Sequence, residues 1–163
     1  MAMAQQTPVT PAIRALRAAN VPYTEHLYAY EEKGGTKVSA RELGVDEHSV
    51  IKTLVMQDED GEPLIVLMHG DLQVSTKNLA RHLGKKAIMP CLPDIAHKHT
   101  GYLVGGTSPF GTRKELPVFA EATIFELDRV YINGGARGFL VAMAPAVVEQ
   151  LLEPEWVEVG IAG

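Results

Sequence analysis

Three stretches of this chain carry residue types that could do chemistry together. In the first, Gly101-Tyr-Leu-Val-Gly-Gly-Thr-Ser-Pro-Phe-Gly-Thr-Arg-Lys114, an apolar triplet runs into a glycine pair, then a Thr-Ser-Pro-Phe-Gly turn and two cations. Gly105 and Gly106 lack a Cβ, so their backbone can reach positive φ and lie against a ligand. Pro109 fixes its own φ and biases Ser108 toward extended backbone. Such a loop presents N–H groups to an anion or a polarised carbonyl, although its glycines alone also fit a strand and an ordinary turn. The second is Lys52, mid-way along an apolar strand expected over residues 50–57. An ammonium there must meet an anion, open onto a cleft, or carry its head to water along a packed stem. The third, Asn133-Gly-Gly-Ala-Arg-Gly138, reads either as an Asn-Gly hairpin turn or as a loop aiming the Arg137 fork at a phosphate or carboxylate.

Other reactive side chains are less organised. Cys91 lies between Pro90 and Leu92-Pro93 with no histidine or electropositive setting placed beside it, which favours a buried, inert thiol. The six histidines are scattered, and His97-Lys-His99 has the wrong spacing for one helix face, so no metal site is expected. No Ser-His-Asp order, GxGxxG or phosphate-binding loop is present, and no cofactor is expected.

The elements that must position these residues are legible from pattern. Thr10 as cap with Pro11 at the first position opens a helix that Asn20 and Pro22 end. A strand is expected over 23–30, a loop over 31–36, and a short helix over 37–43 stopped by Gly44. The 50–57 strand is apolar on both faces, which marks it as the most buried and central one. The acidic turn 58–62 returns it to a strand over 64–68. A helix over 77–83, capped by Ser75 or Thr76 and closed by Gly84, follows. Further expectations are a strand over 86–89, a helical turn over 93–99, and strands over 116–119, 129–132, 139–143 and 156–159. A helix is expected over 145–152, while 122–127 is ambiguous. Hairpins and helices alternate without βαβ spacing, so an α+β fold with a mixed, mostly antiparallel sheet is expected, as one domain over 1–163.

At 46% apolar and 21% charged, the chain has a globular composition. Residues 1–6 have neither basic segment nor apolar core, so no signal peptide is expected there. The longest apolar run, 139–148, is too short for a bilayer and contains Pro145, so no membrane partner is expected. One cysteine fits a reducing, cytoplasmic setting. A formal charge of −5 argues against tracking long nucleic-acid backbones but allows a grip on one end.

Together, Lys52-Thr-Leu-Val, the Gly101–Gly111 string and Ile132-Asn-Gly-Gly-Ala-Arg-Gly138 resemble the YbaK/EbsC family, relatives of the editing domain inserted in bacterial prolyl-tRNA synthetases. The resemblance covers residues 10–159. It implies a barrel-like mixed sheet flanked by helices, and hydrolytic clearing of mischarged aminoacyl-tRNA, with Cys-tRNA(Pro) the substrate of the most similar subgroup. By this resemblance Lys52 is the essential lysine, and Gly105 and Gly106 form the loop whose backbone meets the reacting carbonyl. Thr53, Thr107, Ser108, Pro109 and Phe110 would line the substrate site, with Tyr28 from the early strand and Asn133, Gly134, Gly135 and Arg137 from the second glycine segment. A serine is common where Asn133 stands, and some members carry an aspartate where Leu140 stands, which leaves the amino acid removed open among Cys, Ala and Pro. In the cysteinyl case the substrate's own thiol is thought to attack its carbonyl and leave as a thiolactone, so no protein nucleophile is needed. The implied partner is the 3′ end of an aminoacyl-tRNA, with prolyl-tRNA synthetase able to supply tRNA selectivity. A non-catalytic module binding a nucleotide or aminoacyl-adenylate would use the same loops.

Overall fold

Thr10 caps α1 (Pro11–Ala19) as expected: its hydroxyl accepts from the Ile13 N–H at 3.1 Å, and Asn20 closes the helix in the left-handed region. These elements come from a computed structural model that describes residues 6–163; the Met1-to-Gln5 segment, part of the signal-peptide expectation, lies outside the described residues. The chain continues through β1 (Thr24–Leu27), α2 (Gly35–Leu43), a 3-10 turn (Glu47–Ser49), β2 (Val50–Asp58), β3 (Pro63–His69) and β4 (Leu72–Val74). Then come α3 (Thr76–Leu83), β5 (Ile88–Pro90), α4 (Pro93–Thr100) and, after a long irregular segment, β6 (Val118–Glu121). A 3-10 turn (Ala122–Glu126) resolves the ambiguous stretch, and β7 (Val130–Ala136), β8 (Phe139–Met143), α5 (Pro145–Leu152), β9 (Glu155–Val157) and β10 (Gly160–Ala162) complete the fold. Among the described residues no helix is long and apolar enough to cross a membrane.

The main sheet runs β1-β8-β7-β2-β3-β6-β9, with β5 branching from β2; β4 and β10 form a separate pair. The fold is α+β and its sheet is mixed and mostly antiparallel, as expected; the parallel pairs are β2·β7, β3·β6 and β6·β9. The path is open at β1 and β9, so hydrogen bonding does not close it into a full barrel.

Four expectations change. The early strand ends at Leu27 rather than residue 30, because β8 offers it only Phe139 to Ala142 as partners. Residues 133–136 are not a loop: β7 runs through them with a bulge between Asn133 and Ala136, and the turn is only Arg137-Gly138. β4 and β10 were not expected. Finally, the most buried strand is β3, not β2. Ile65 and Leu67 enter one core with α1, β7 and α5, while Leu64, Val66 and Met68 enter a second core with α3, β5 and β9. β2 is only half-buried from Lys52 to Val55, and the reason is the site itself.

Candidate active site

A cavity of about 610 Å³ opens beside β2. Its origin is a split in the sheet. Val50 O accepts from Gly70 N at 2.7 Å, so the even-numbered residues of β2 direct their peptide groups toward β3 and the odd-numbered ones toward the opposite flank. On that flank β7 reaches only Val50 and Ile51, and β5 joins only from Met56 onward; Val55 O is held by Cys91 N at 3.0 Å. Thr53, between them, meets neither ladder. Its Oγ1 is also the one buried side-chain polar atom among the described residues without a hydrogen-bond partner.

Lys52 lines this cavity, and its ammonium makes no ion pair or hydrogen bond among the described residues. Burial pulls its ammonium below the ordinary lysine range, while the Glu47 and Asp71 carboxylates pull it back up. Neither carboxylate comes within ion-pair distance, so the ammonium is left without a direct bonding partner among the described residues.

The glycine loop is docked on the β7 bulge, and Asn133 makes the joint. Its Nδ2 donates to Gly105 O and to Ala136 O, both at 3.1 Å, and its Oδ1 accepts from Gly135 N at 2.6 Å and Ala136 N at 3.1 Å. Arg137 Nε donates to Val104 O at 2.8 Å, and its guanidinium stacks over the Tyr30 ring. Gly106 is required by close approach: a Cβ there would sit 2.9 Å from the backbone of Ala136 and Arg137. Gly105, at φ +86°, would drive a Cβ to 2.6 Å from the Tyr30 hydroxyl.

Of the residues expected to act, Tyr28, Lys52, Thr53, Gly105, Thr107, Asn133 and Arg137 line the cavity. The others stand behind it. Gly106 N donates to Leu103 O at 2.9 Å, so it has no free N–H for a substrate oxygen; Gly105 N and Thr107 N donate to no acceptor among the described residues. Ser108, Pro109 and Phe110 are buried, Ser108 Oγ accepting from Phe110 N and Phe110 packing in the first core. Gly134 lies against the Phe139 ring and Gly135 against Tyr102 and Thr10; they are packing glycines. Leu140, noted for its departure from an aspartate, is a cavity wall packed with Val50 and Ala40. Burial raises the Tyr28 phenol above its ordinary pKa.

Sequence reasoning did not place Tyr30, Glu31, Glu32 or Lys33 at the site, yet all four line it. It also read Cys91 as buried, whereas the thiol is half-exposed in the cavity wall because β5 ends at Pro90. Burial still raises its pKa, as for an unactivated thiol. The scattered histidines gather more than expected: the β2–β3 hairpin brings ligand atoms of His48, His69 and Asp71 within 4.8 Å of one another. The two imidazoles stack at 3.6 Å, His69 bonds His48 O and Thr123 Oγ1, and His48 Nδ1 bonds Asp71 at 2.9 Å. A metal ion would have to displace those bonds.

Comparison with known proteins bears on this geometry. The sequence profile of the aminoacyl-tRNA editing domain matches residues 31–151. A proposed Cys-tRNA(Pro)/Cys-tRNA(Cys) deacylase, EbsC of Enterococcus faecalis, is 29% identical over 92% of each chain. A proline–tRNA ligase of Geobacter sp. is 33% identical over 61% of this chain, which spans 17% of the ligase. The crystal structure of a proposed trans-editing enzyme for prolyl-tRNA synthetase superposes with a TM-score of 0.82 at 20% identity, covering 96% of this chain and all of that one.

Proposed function

The chain belongs to the aminoacyl-tRNA editing domain family, and on that premise we propose that it is a deacylase clearing mischarged amino acid, cysteine first, from the 3′ end of a tRNA. The observation that carries this reading is the presence in one cavity of Lys52, an ammonium in no ion pair among the described residues, and Gly105, a backbone N–H with no acceptor among them. Lys52 holds a phosphate or ribose oxygen of the terminal adenosine. The Gly105 N–H takes the oxyanion that develops on the ester carbonyl, with Thr107 N–H as its neighbour. Asn133 and Arg137 position that loop through Gly105 O and Val104 O.

An aminoacyl ester is already activated, so orientation supplies much of the acceleration. In the cysteinyl case the substrate sulfur attacks the carbonyl carbon, and the carbon–oxygen bond to the ribose breaks. The ribose oxygen takes the proton given up by the thiol, and a four-membered thiolactone leaves, which water then opens. Cys91, with its pKa raised by burial and no base beside it, takes no part. The names of EbsC and of the trans-editing enzyme support cysteine and the prolyl system. Of the cations, Lys33, Lys52 and Arg137 line the cavity, which suffices for a 3′ end only, so discrimination among tRNA bodies falls to a partner such as prolyl-tRNA synthetase.

The test is deacylation of tRNA(Pro) charged with cysteine, alanine or proline. Cysteine is expected to be released fastest, and alkylating its thiol to stop the reaction. Faster release of alanine or proline would move the substrate assignment. Binding of all three without turnover would make the chain a binding module instead.

A further inference from the structure

Among the described residues, eight large apolar side chains are exposed: Val9, Tyr30, Met89, Leu92, Leu103, Val104, Trp156 and Ile161. Tyr30 and Val104 line the cavity, and Met89, Leu92 and Leu103 each adjoin a lining residue in the chain. Leu92 and Leu103 are the most open of the set, at 69% and 59%. Scattered apolar exposure needs no explanation, but Leu92 stands between the lining residues Cys91 and Pro93, and Leu103 precedes the lining residue Val104, which puts exposed apolar side chains at the cavity's edge. The local backbone explains why these side chains cannot retreat. Leu92 is pinned outward between the end of β5 and the first residue of α4, with Cys91 N tied to Val55 O. Leu103 and Val104 crown a turn closed by Gly106 N on Leu103 O and clamped by Arg137 on Val104 O.

Charge narrows what this rim can meet. The cavity lining carries Lys33, Lys52 and Arg137 against Glu31 and Glu32, and the whole chain is at −5. Phosphate contacts there are few, so a nucleic acid held at this mouth must be held largely by its bases. Unpaired bases at a single-stranded end have exposed faces that pack on apolar and aromatic surface, as paired bases do not. We propose that the rim formed by Leu92, Leu103, Val104 and Tyr30 is a docking surface for the unpaired bases preceding the terminal adenosine of the 3′ end. This rests on the proposed function for the identity of the strand, and it assigns the rim, rather than a phosphate track, the task of holding it.

The experiment is anisotropy titration of a fluorescein-labelled ACCA tetranucleotide, with adenosine 5′-monophosphate as the competitor that reaches only the cavity. The variants are Leu92→Ser with Leu103→Ser, both exposed and outside the cavity lining, and the single Leu92→Ser in case the pair perturbs the loop. ACCA affinity should fall about tenfold in the double variant, the scale of losing one base contact, while adenosine 5′-monophosphate competes as before. With two phosphates met by Lys52 and Arg137, the logarithm of affinity should fall against the logarithm of salt with a slope of about −1.4. Unchanged ACCA affinity, or equal loss of both probes, overturns the proposal. A slope of about −2.1, the limit for all three phosphates of the probe, with unaffected variants would instead assign the strand to cations such as Lys98, Arg113 and Lys114. Variants that bind ACCA normally but lose stimulation by prolyl-tRNA synthetase would make the rim a protein interface. Because the titration needs no turnover, it separates failure of the rim from failure of the deacylase reading.

Discussion

Lys52 and His69 sit on neighbouring strands of one ladder, and burial pulls both below their ordinary pKa, yet the two sites resolve that cost in opposite ways. His69 is wholly enclosed, and the chain answers both of its nitrogens: Nδ1–H donates to His48 O at 2.6 Å, which leaves Nε2 to accept from the Thr123 hydroxyl at 2.7 Å. Lys52 lies where β7 and β5 have separated, and among the described residues Glu47 and Asp71 favour its charge without coming close enough to bond it. A buried ionisable group with every partner supplied is structure; one with none supplied is waiting for a ligand.

The sharpest way to break this contrast is Lys52→Met. Deacylation should fall by about a hundredfold or more, the scale of losing a charge-assisted contact in the transition state, while thermal melting stays level or rises by a few degrees. A Lys52→Met protein that melts early and keeps its rate would erase the distinction. His69→Ala should do the reverse. Removing the ring leaves His48 O and the Thr123 hydroxyl unpaired, so stability should drop by about 2–4 kcal/mol by denaturant titration, with kcat of the folded fraction within about threefold.

The contrast also has a pH form. Unfolded chains bind more protons at His69 below about pH 6.5, so stability should decline as pH falls from there. Lys52 acts at the other end. In the proposed mechanism Lys52 acts as an ammonium, so the rate should fall on the alkaline side earlier than an ordinary lysine would allow, and Lys52→Arg should move that limb upward. Asn133→Ala should give a smaller effect, about tenfold on kcat and about 1 kcal/mol on stability, because it loosens the loop without removing a group that touches substrate. Smallest of all, Cys91→Ser should leave the rate within about twofold; a large loss would mean that the thiol reacts.

The sequence made much of this legible, and the places where it did not share one cause. The caps of α1, α2 and α3 depend on local turn chemistry, and Thr10, Gly44, Ser75 and Gly84 announced them. Lys52 was conspicuous because a cation interrupts a strand that is otherwise apolar on both faces. The burial order of β2 and β3 was not readable, since it depends on where β7 and β5 diverge, and those strands lie far away in the chain. Nor could glycine content separate Gly105, which faces the cavity, from Gly106, Gly134 and Gly135, which make room for neighbouring backbone or rings. Tyr30 and the Glu31-to-Lys33 turn reach the site only because β1 stops at Leu27, a limit set by its distant partner β8.

That same pairing of remote strands governs when the cavity can come into being. β1 waits for β8, β2 for β7 and β3 for β6, so the walls are drawn from residues as far apart as Tyr28 and Leu140. Topologies rich in such distant pairings fold in milliseconds to seconds rather than microseconds. A ribosome adding about 5–20 residues per second would expose Lys52 several seconds before the strands that frame it. The cavity therefore cannot be complete until residues 133–140 have been made and the Arg137-Gly138 turn has brought β8 back along β7.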